Sequence, residues 1–229
     1  MDDMFGNPLP EEFRERLLKL SDAAQADGEP LLWFEELYSS ANRNSKEIPW
    51  ARMEPHPKMV EWIASQPDVQ GKALVIGCGL GDDAEWLSAI GFEVTAFDIS
   101  ESSIQWCKER FPSTDVDYIV ADLLNPPAKW LNEYDLVVEI HILQAIPEEV
   151  RDPAASQIPG LLNSKGSCCV SVDWLDFKFQ MNPLHPGRCL ERGWRDDLHR
   201  STQHHSNISL TKNHRVLIGI SHLGLQIKP

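Results

Sequence analysis

From Lys72 onward, short unbroken apolar runs alternate with helix-like segments, and this alternation limits the fold more than any other feature of the chain. "KALVIG", "EVTAFDIS", "DVDYIVADL", "YDLVVEIHI" and "SCCVSVDW" read as strands. "DDAEWLSAIG" and "SESSIQWCKERFP" read as helices, the second capped by Ser100, and "PEEVRDPAASQIPGLLNSKG" reads as a helix broken by its prolines. Strands that are apolar along their whole length are covered on both faces, which calls for a parallel sheet with helical crossovers. Right-handed crossovers then give a doubly wound, mostly parallel α/β sheet. Such a sheet takes its ligands at the carboxyl ends of the strands, near the point where strand order reverses. Further on, "NISL" and "RVLIGI" are expected to pair as an antiparallel hairpin, and "RCLERGWRDDLHR" has helical spacing.

The first third of the chain has a different pattern. An amphipathic helix is expected from about Pro10 to Gln25, with Phe13, Leu17 and Leu20 on one face. "PLLWFEELYSSA" follows as a second helix, "RNSKEIPWARMEPHP" as a proline-broken loop, and "KMVEWIASQP" as a third helix closed by Pro67. Residues 1–68 are therefore read as an N-terminal helical arm or lid, and residues 69–229 as the core of a single domain.

Composition narrows the partners. The 229 residues carry a net charge of −14. Residues 1–150 hold 11 Lys+Arg against 29 Asp+Glu, a balance of −18, whereas residues 151–229 hold 10 against 6, a balance of +4. The first part would repel a phosphate-rich polymer, so a small molecule is expected as partner and nucleic acid is not. Five cysteines with no C-x-x-C pair point to reduced thiols rather than disulfides or zinc. An acidic start without the basic-then-apolar order of a secretory leader, and no run long enough to span a bilayer, lead to a cytoplasmic expectation with no membrane partner. Oligomeric state is not legible.

Between the first strand and its helix stands Gly77-Cys78-Gly79-Leu80-Gly81, a G-x-G-x-G turn. A dinucleotide fingerprint would need a small residue next, and here Asp82 and Asp83 follow. Two carboxylates suit a helix N-terminus but oppose a pyrophosphate in the same place. S-adenosylmethionine, which has an adenosine, a sulfonium and an ammonium but no phosphate, suits an acidic turn better. The neighbouring strand ends agree with a nucleoside pocket. Asp98, seventeen residues beyond Gly81, can accept from both ribose hydroxyls, and Asp122 can accept from an adenine amine while the Leu123 amide donates to the ring.

With these motifs together, the chain resembles the class I S-adenosylmethionine-dependent methyltransferases, and within them the small-molecule, thiopurine methyltransferase-like branch. The resemblance runs from about Trp33 to Trp174, on "WFEELY", "IPWARMEPHP", "VIGCGLGDDA", "VTAFDIS", "VADLL" and "VVEIHILQAIP". It implies a Rossmann-like fold and S-adenosylmethionine as cofactor, with a small molecule as methyl acceptor. It implies that Gly77, Gly79 and Gly81 line the methionine part, that Asp98 with Ile99 beside it holds the ribose, and that Asp122 and Leu123 hold the adenine. Glu139, Ile140 and His141 then lie beside the sulfonium. Two departures stand out: Val75 occupies a position that is acidic in most class I enzymes, and the His- and Arg-rich tail matches no family motif. In the family a helix, a strand and a final antiparallel strand follow "SCCVSVDW".

Other residues invite a role. His141 ends the fourth strand, where it could take a substrate proton, orient the substrate, or simply pack. Trp33 and Arg52 are counted with the cofactor site because their segment can fold over its mouth, and Arg52 suits the cofactor carboxylate or an anionic substrate. Cys189, His199, His204 and His205 match no common metal-site spacing, so no metal is expected. The segment after about Asp176 is expected to be more mobile and less tightly packed than residues 72–174. Two other readings stay open: a nicotinamide-dependent oxidoreductase, and a catalytically silent nucleoside-binding protein.

Overall fold

A computed structural model describes residues 10–173, 208–210 and 214–221. Three helices come first, α1 (Glu11–Ala26), α2 (Leu32–Ser40) and α3 (Pro57–Ala64). The core follows as β1 (Lys72–Ile76), α4 (Asp82–Ala89), β2 (Glu93–Asp98), α5 (Glu101–Arg110), β3 (Asp117–Val120), β4 (Tyr134–Ile140), α6 (Ile142–Ala145), α7 (Glu148–Leu161) and β5 (Leu162–Asp173). Two further strands are β6 (Ile208–Leu210) and β7 (His214–Ser221). The sheet order is β3-β2-β1-β4-β5-β7-β6. Strands β1 to β5 pair in parallel throughout, as the unbroken apolar runs predict. Strand order reverses between β1 and β4, so the crevice for a ligand opens above their carboxyl ends.

Alternation along each strand serves two layers. Ala73 and Val75 of β1, with Leu136 and Val138 of β4, pack under Met59, Trp62 and Ile63 of α3, Ala84 and Leu87 of α4, and Ile104 of α5. Leu74, Ile76 and Val137 face the other way, against Leu143, Ala154, Ile158 and Leu161 of α6 and α7. Helix α3 thus belongs to the sheet's own core. Helices α1 and α2 form a separate cluster through Leu17, Trp33, Leu37 and Tyr38, which meets the core at Leu80 and Trp106. Phe13 and Leu20 pack against that cluster, as their spacing with Leu17 predicts.

Three expectations change. Helix α7 is continuous across Pro153 and Pro159 rather than broken. An interior proline costs about 3 kcal/mol, but the helix buries Ala154, Ile158 and Leu161 on the sheet, and each large apolar side chain contributes about 1.5–3 kcal/mol. The helix also stops at Leu161, and β5 begins at once, with a register shift opposite Tyr134 and Leu136. Finally, β6 and β7 do form an antiparallel hairpin, but β7 joins β5 in parallel and β6 is the antiparallel edge strand. The antiparallel strand that the resemblance implies is therefore the short outer one. The expected helix over 188–200 and the expected looseness after Asp176 fall on residues outside those described, as do Cys189, His199, His204 and His205. Among the described residues, no helix is long and apolar enough to cross a membrane, and no group of three metal-ligating side chains converges.

Candidate functional site

The glycine turn is built around two tight positions. Gly81 caps α4 in the left-handed region at φ +88°, and a Cβ there would stand 2.4 Å from the Tyr118 hydroxyl. Gly77, at φ +57°, faces Ile142, whose Cδ1 would lie 2.3 Å from an added Cβ. Three backbone donors of the turn are engaged inside the protein. Cys78 N donates to Phe97 O at 2.9 Å, Gly81 N to Cys78 O at 2.9 Å, and Gly79 N to the Asp98 carboxylate at 3.0 Å. The Gly79 carbonyl accepts from the Ser103 hydroxyl at 2.6 Å and the Cys107 thiol at 3.1 Å.

Above this turn lies a cavity of about 440 Å³. Of the sequence candidates, Gly77, Gly79, Asp98, Ile99, Asp122, Leu123, Ile140, His141, Trp33 and Arg52 line it. Gly81 and Glu139 do not. Gly81 lies below, closing the turn against Tyr118. Glu139 is fully buried, in the register of Val137 on the α6–α7 face, where its Oε1 accepts from Ile142 N at 2.6 Å and Leu143 N at 2.9 Å. That carboxylate holds the first turn of α6 under the cavity. Burial raises its pKa to about 7, and its Oε2 has no hydrogen-bond partner.

Asp98 ends β2 at 6% exposure. Its Oδ2 accepts from Gly79 N and its Oδ1 from Ser100 N, both at 3.0 Å. Burial raises its pKa to about 6, against the lowering effect of these donors. Ser100 caps α5 in turn by accepting from Ser103 N, as its position before the helix predicts. The Ser103 hydroxyl and the Ile99 N–H also favour its charged form, and Asp98 borders the cavity, where ligand hydroxyls can donate to it. Asp122 lies two residues beyond β3, and its Oδ1 accepts from Leu124 N at 2.8 Å in a local turn that presents Leu123 beside it.

The paired aspartates after the turn find internal partners that the sequence does not reveal. Arg110 of α5 donates to both Asp82 oxygens at 2.8 and 3.0 Å. This bidentate pair largely neutralises Asp82, so the repulsion expected between that residue and a phosphate is weak. Asp83 instead accepts the main-chain N–H of His56 at 2.6 Å. Burial raises its pKa to about 6, with the His56 N–H and Arg52 acting in the opposite direction. Arg52 also pairs with the Glu54 carboxylate at 3.0 Å.

The arm closes the cavity with aromatic rings. Trp33 stacks on Phe34 at 4.1 Å, and Trp50 meets both edge-on at 5.9 Å while donating to the Tyr38 hydroxyl at 2.7 Å. Glu35 fastens α2 to the start of α5. It accepts from the Ser100 hydroxyl at 2.7 Å, and from the Ser102 hydroxyl and N–H at 2.5 and 3.0 Å. Arg43 adds a two-pronged pair with Glu109 at 2.6 and 2.9 Å.

His141 follows β4 at φ +63° and caps α6. Its ring meets that of His56 edge to face, with centroids 5.4 Å apart. Sequence reading missed His56, although it stands in a quoted motif, because nothing local relates it to β4. It also missed Glu35 and Asp83 as organisers of the site. Their only sequence signal is a carboxylate at a helix start or beside an aromatic run.

Residues 73–166 match a protein-family model described as a methyltransferase domain. The ubiquinone biosynthesis O-methyltransferase of Aromatoleum aromaticum is 31% identical over 103 residues, which are 44% of this chain and 44% of that protein. The enzyme of the same name from Thiobacillus denitrificans is 27% identical over 103 residues, 44% of this chain and 43% of its own. The matched stretch is thus under half the length of either relative. Among solved structures, one from work on the conversion of a disulfide bond into a thioacetal group during echinomycin biosynthesis superposes with a TM-score of 0.53 at 23% identity. The likeness covers 59% of this chain and 57% of that one, and is one of fold.

Proposed function

We propose that the protein is a class I methyltransferase that uses S-adenosylmethionine to methylate a small molecule. The observation that carries this reading is the convergence of consecutive strand ends on one cavity: Gly77 and Gly79 after β1, Asp98 after β2, Asp122 and Leu123 after β3, and Ile140 and His141 after β4. The residues fit the cofactor. Asp98 borders the cavity as the acceptor for the ribose hydroxyls, with Ile99 beside it. Asp122 and Leu123 take the adenine, Gly77 and Gly79 line the methionine part, and Trp33 covers the mouth. Gly81 and Glu139 act from outside the cavity, by shaping the turn and by holding α6. When bound, the cofactor supplies a methyl group on a sulfonium, which needs chiefly a well-aligned nucleophile.

The chain's own groups do the rest. Within residues 1–68, α1, α2 and the loop up to His56 serve as arm and lid while α3 packs on the sheet; the aromatic cluster excludes water and the Glu35 anchor holds α2 in place. Arg52 stands near Asp83 and Glu54, ready to exchange an internal carboxylate for that of a ligand. His141 is the candidate group for receiving a proton from the acceptor. The "WFEELY" and "IPWARMEPHP" motifs, whose Trp33, Phe34, Trp50 and His56 line the cavity, support placement in the thiopurine methyltransferase-like branch.

Calorimetric titration and melting with S-adenosylmethionine, its demethylated product and NAD test the reading. A ligand present at a hundred times its dissociation constant stabilises by about 2.7 kcal/mol. Stabilisation is expected from the first two ligands. Tighter binding of NAD would overturn the assignment.

A further inference from the structure

The chain has eight histidines, and six of them lie after residue 150. The other two, His56 and His141, come from opposite sides of the site and meet in the same cavity. His56 precedes α3, whose first residue is Pro57, and its main chain is tied to Asp83 at 2.6 Å. His141 sits at the turn from β4 into α6, which Glu139 holds from below. The main chain on each side of the pair is thus tethered, at His56 by Asp83 and just after His141 by Glu139. His56 is only 6% exposed.

An edge-to-face contact sets the positive rim of one ring on the π face of the other, and the attraction grows when the ring that presents its edge takes a proton. The cavity that holds the pair is lined in large part by apolar side chains, among them Ile140, Ile142, Ile146 and Phe34. The nearby carboxylate, Asp83, is engaged by the His56 N–H and faces Arg52, so its charge is already matched. It therefore offers a poor seat for an ammonium group. A weakly acidic hydroxyl on an apolar or aromatic frame matches this corner best.

We propose that His56 and His141 act as a pair that binds a phenol- or enol-type acceptor by its hydroxyl and takes its proton. His141 receives the proton on an imidazole nitrogen, and the bonding pair stays on the acceptor oxygen. His56 is a positioning residue: its ring orients that of His141 and steadies the imidazolium, from which the proton passes to water. The proposal rests on the methyltransferase reading and names the acceptor class for that same site.

The probe is 4-nitrophenol, whose phenolate absorbs in the visible, added to the protein loaded with the demethylated cofactor product. The wild type should bind it as phenolate at a pH where the free probe is still mostly protonated. His141→Gln should bind it only as the neutral phenol. His56→Gln should lose most of the phenolate signal, and His56→Asn, which offers the α3 N-terminus a capping side chain, should do the same. In turnover, 4-nitrophenol should lose about a hundredfold in kcat in His141→Gln, and about tenfold in His56→Gln. 4-Nitrothiophenol should lose much less, because a thiol gives up its proton about 1.5 pH units more readily than a phenol. Cofactor affinity should not change in any variant. Binding of the probe only as neutral phenol by the wild type, no probe binding, or an undiminished phenolate signal in both His56 variants would each overturn the pair. Loss of cofactor binding by the wild type would instead refute the methyltransferase reading.

Discussion

Replacing Asp98 by Asn separates the two tasks that the structure gives this carboxylate. One is internal: its oxygens accept from Gly79 N and Ser100 N, and so tie the glycine turn to the start of α5. Asn keeps one oxygen and presents an amide to the other donor, so one buried N–H loses its partner, at about 1–3 kcal/mol. An opposing effect follows from burial. A pKa of about 6 in place of 3.8 means that the ionised group weighs on the folded state at pH 7.5 by about 3 kcal/mol, at 1.36 kcal/mol per unit. Asn removes that charge. The two effects nearly cancel, so the fold should survive with a melting temperature changed by a few degrees, at about 2–4 °C per kcal/mol for a chain of this size.

Cofactor binding has no such compensation. Losing an ionised acceptor to the ribose costs about 1.5–3 kcal/mol, or about ten- to a hundredfold in affinity. Asp98→Ala supplies the contrast, since it leaves both Gly79 N and Ser100 N unpaired and should melt well below Asp98→Asn. Calorimetric titration with S-adenosylmethionine, beside thermal melts of all three proteins, reads both quantities. Unchanged cofactor affinity in a normally folded Asp98→Asn would remove Asp98 from the ligand site and leave it as a turn anchor only.

Three further outcomes are expected. Asp98 and Asp83 at about 6 and Glu139 at about 7 all titrate above their ordinary values; the folded state then binds more protons than the unfolded one, so their contribution is full below about pH 4 and is lost as pH rises through 6 to 7. Melting of the ligand-free protein should accordingly fall between pH 5 and 7.5, and a rise across that range would contradict the burial of these three groups. Gly81→Ala forces a side chain into φ +88° and onto the Tyr118 hydroxyl, and should lower stability by about 1–3 kcal/mol in denaturant titration, with wild-type stability refuting the turn geometry. Glu35→Gln weakens the charge-assisted anchor to Ser100 and Ser102, by about 1–2 kcal/mol, and should speed amide exchange in α2 while leaving β1 and β4 protected.

Element types in the core were legible because period and continuity of apolar residues respond to burial on two faces, which the sheet provides. Local rules failed where tertiary contact outweighed them. The proline rule broke α7 on paper, yet the buried face of Ala154, Ile158 and Leu161 holds it continuous. Ser100 as a cap was legible, since donor and acceptor lie three residues apart. His56 beside His141, or Glu35 on Ser102, was not, because such meetings depend on the path of the arm and leave no periodic trace.

The case against a phosphate ligand shows the same division, and its physical ground shifts. From sequence, charge opposes such a ligand: Asp82 and Asp83 stand where a pyrophosphate would lie. In the fold, Asp82 is matched by Arg110, 28 positions away, and Asp83 is engaged by the His56 N–H with Arg52 opposite, so repulsion alone decides little. A phosphate cradle works through free backbone N–H groups aimed at the anion. Here Cys78 N, Gly79 N and Gly81 N already donate to Phe97 O, the Asp98 carboxylate and Cys78 O. Freeing Gly79 N for a phosphate would strip a donor from a buried carboxylate, and the phosphate would then lie beside that carboxylate. A ligand without phosphate avoids both penalties, because it approaches Asp98 with hydroxyl donors and leaves the turn as it is.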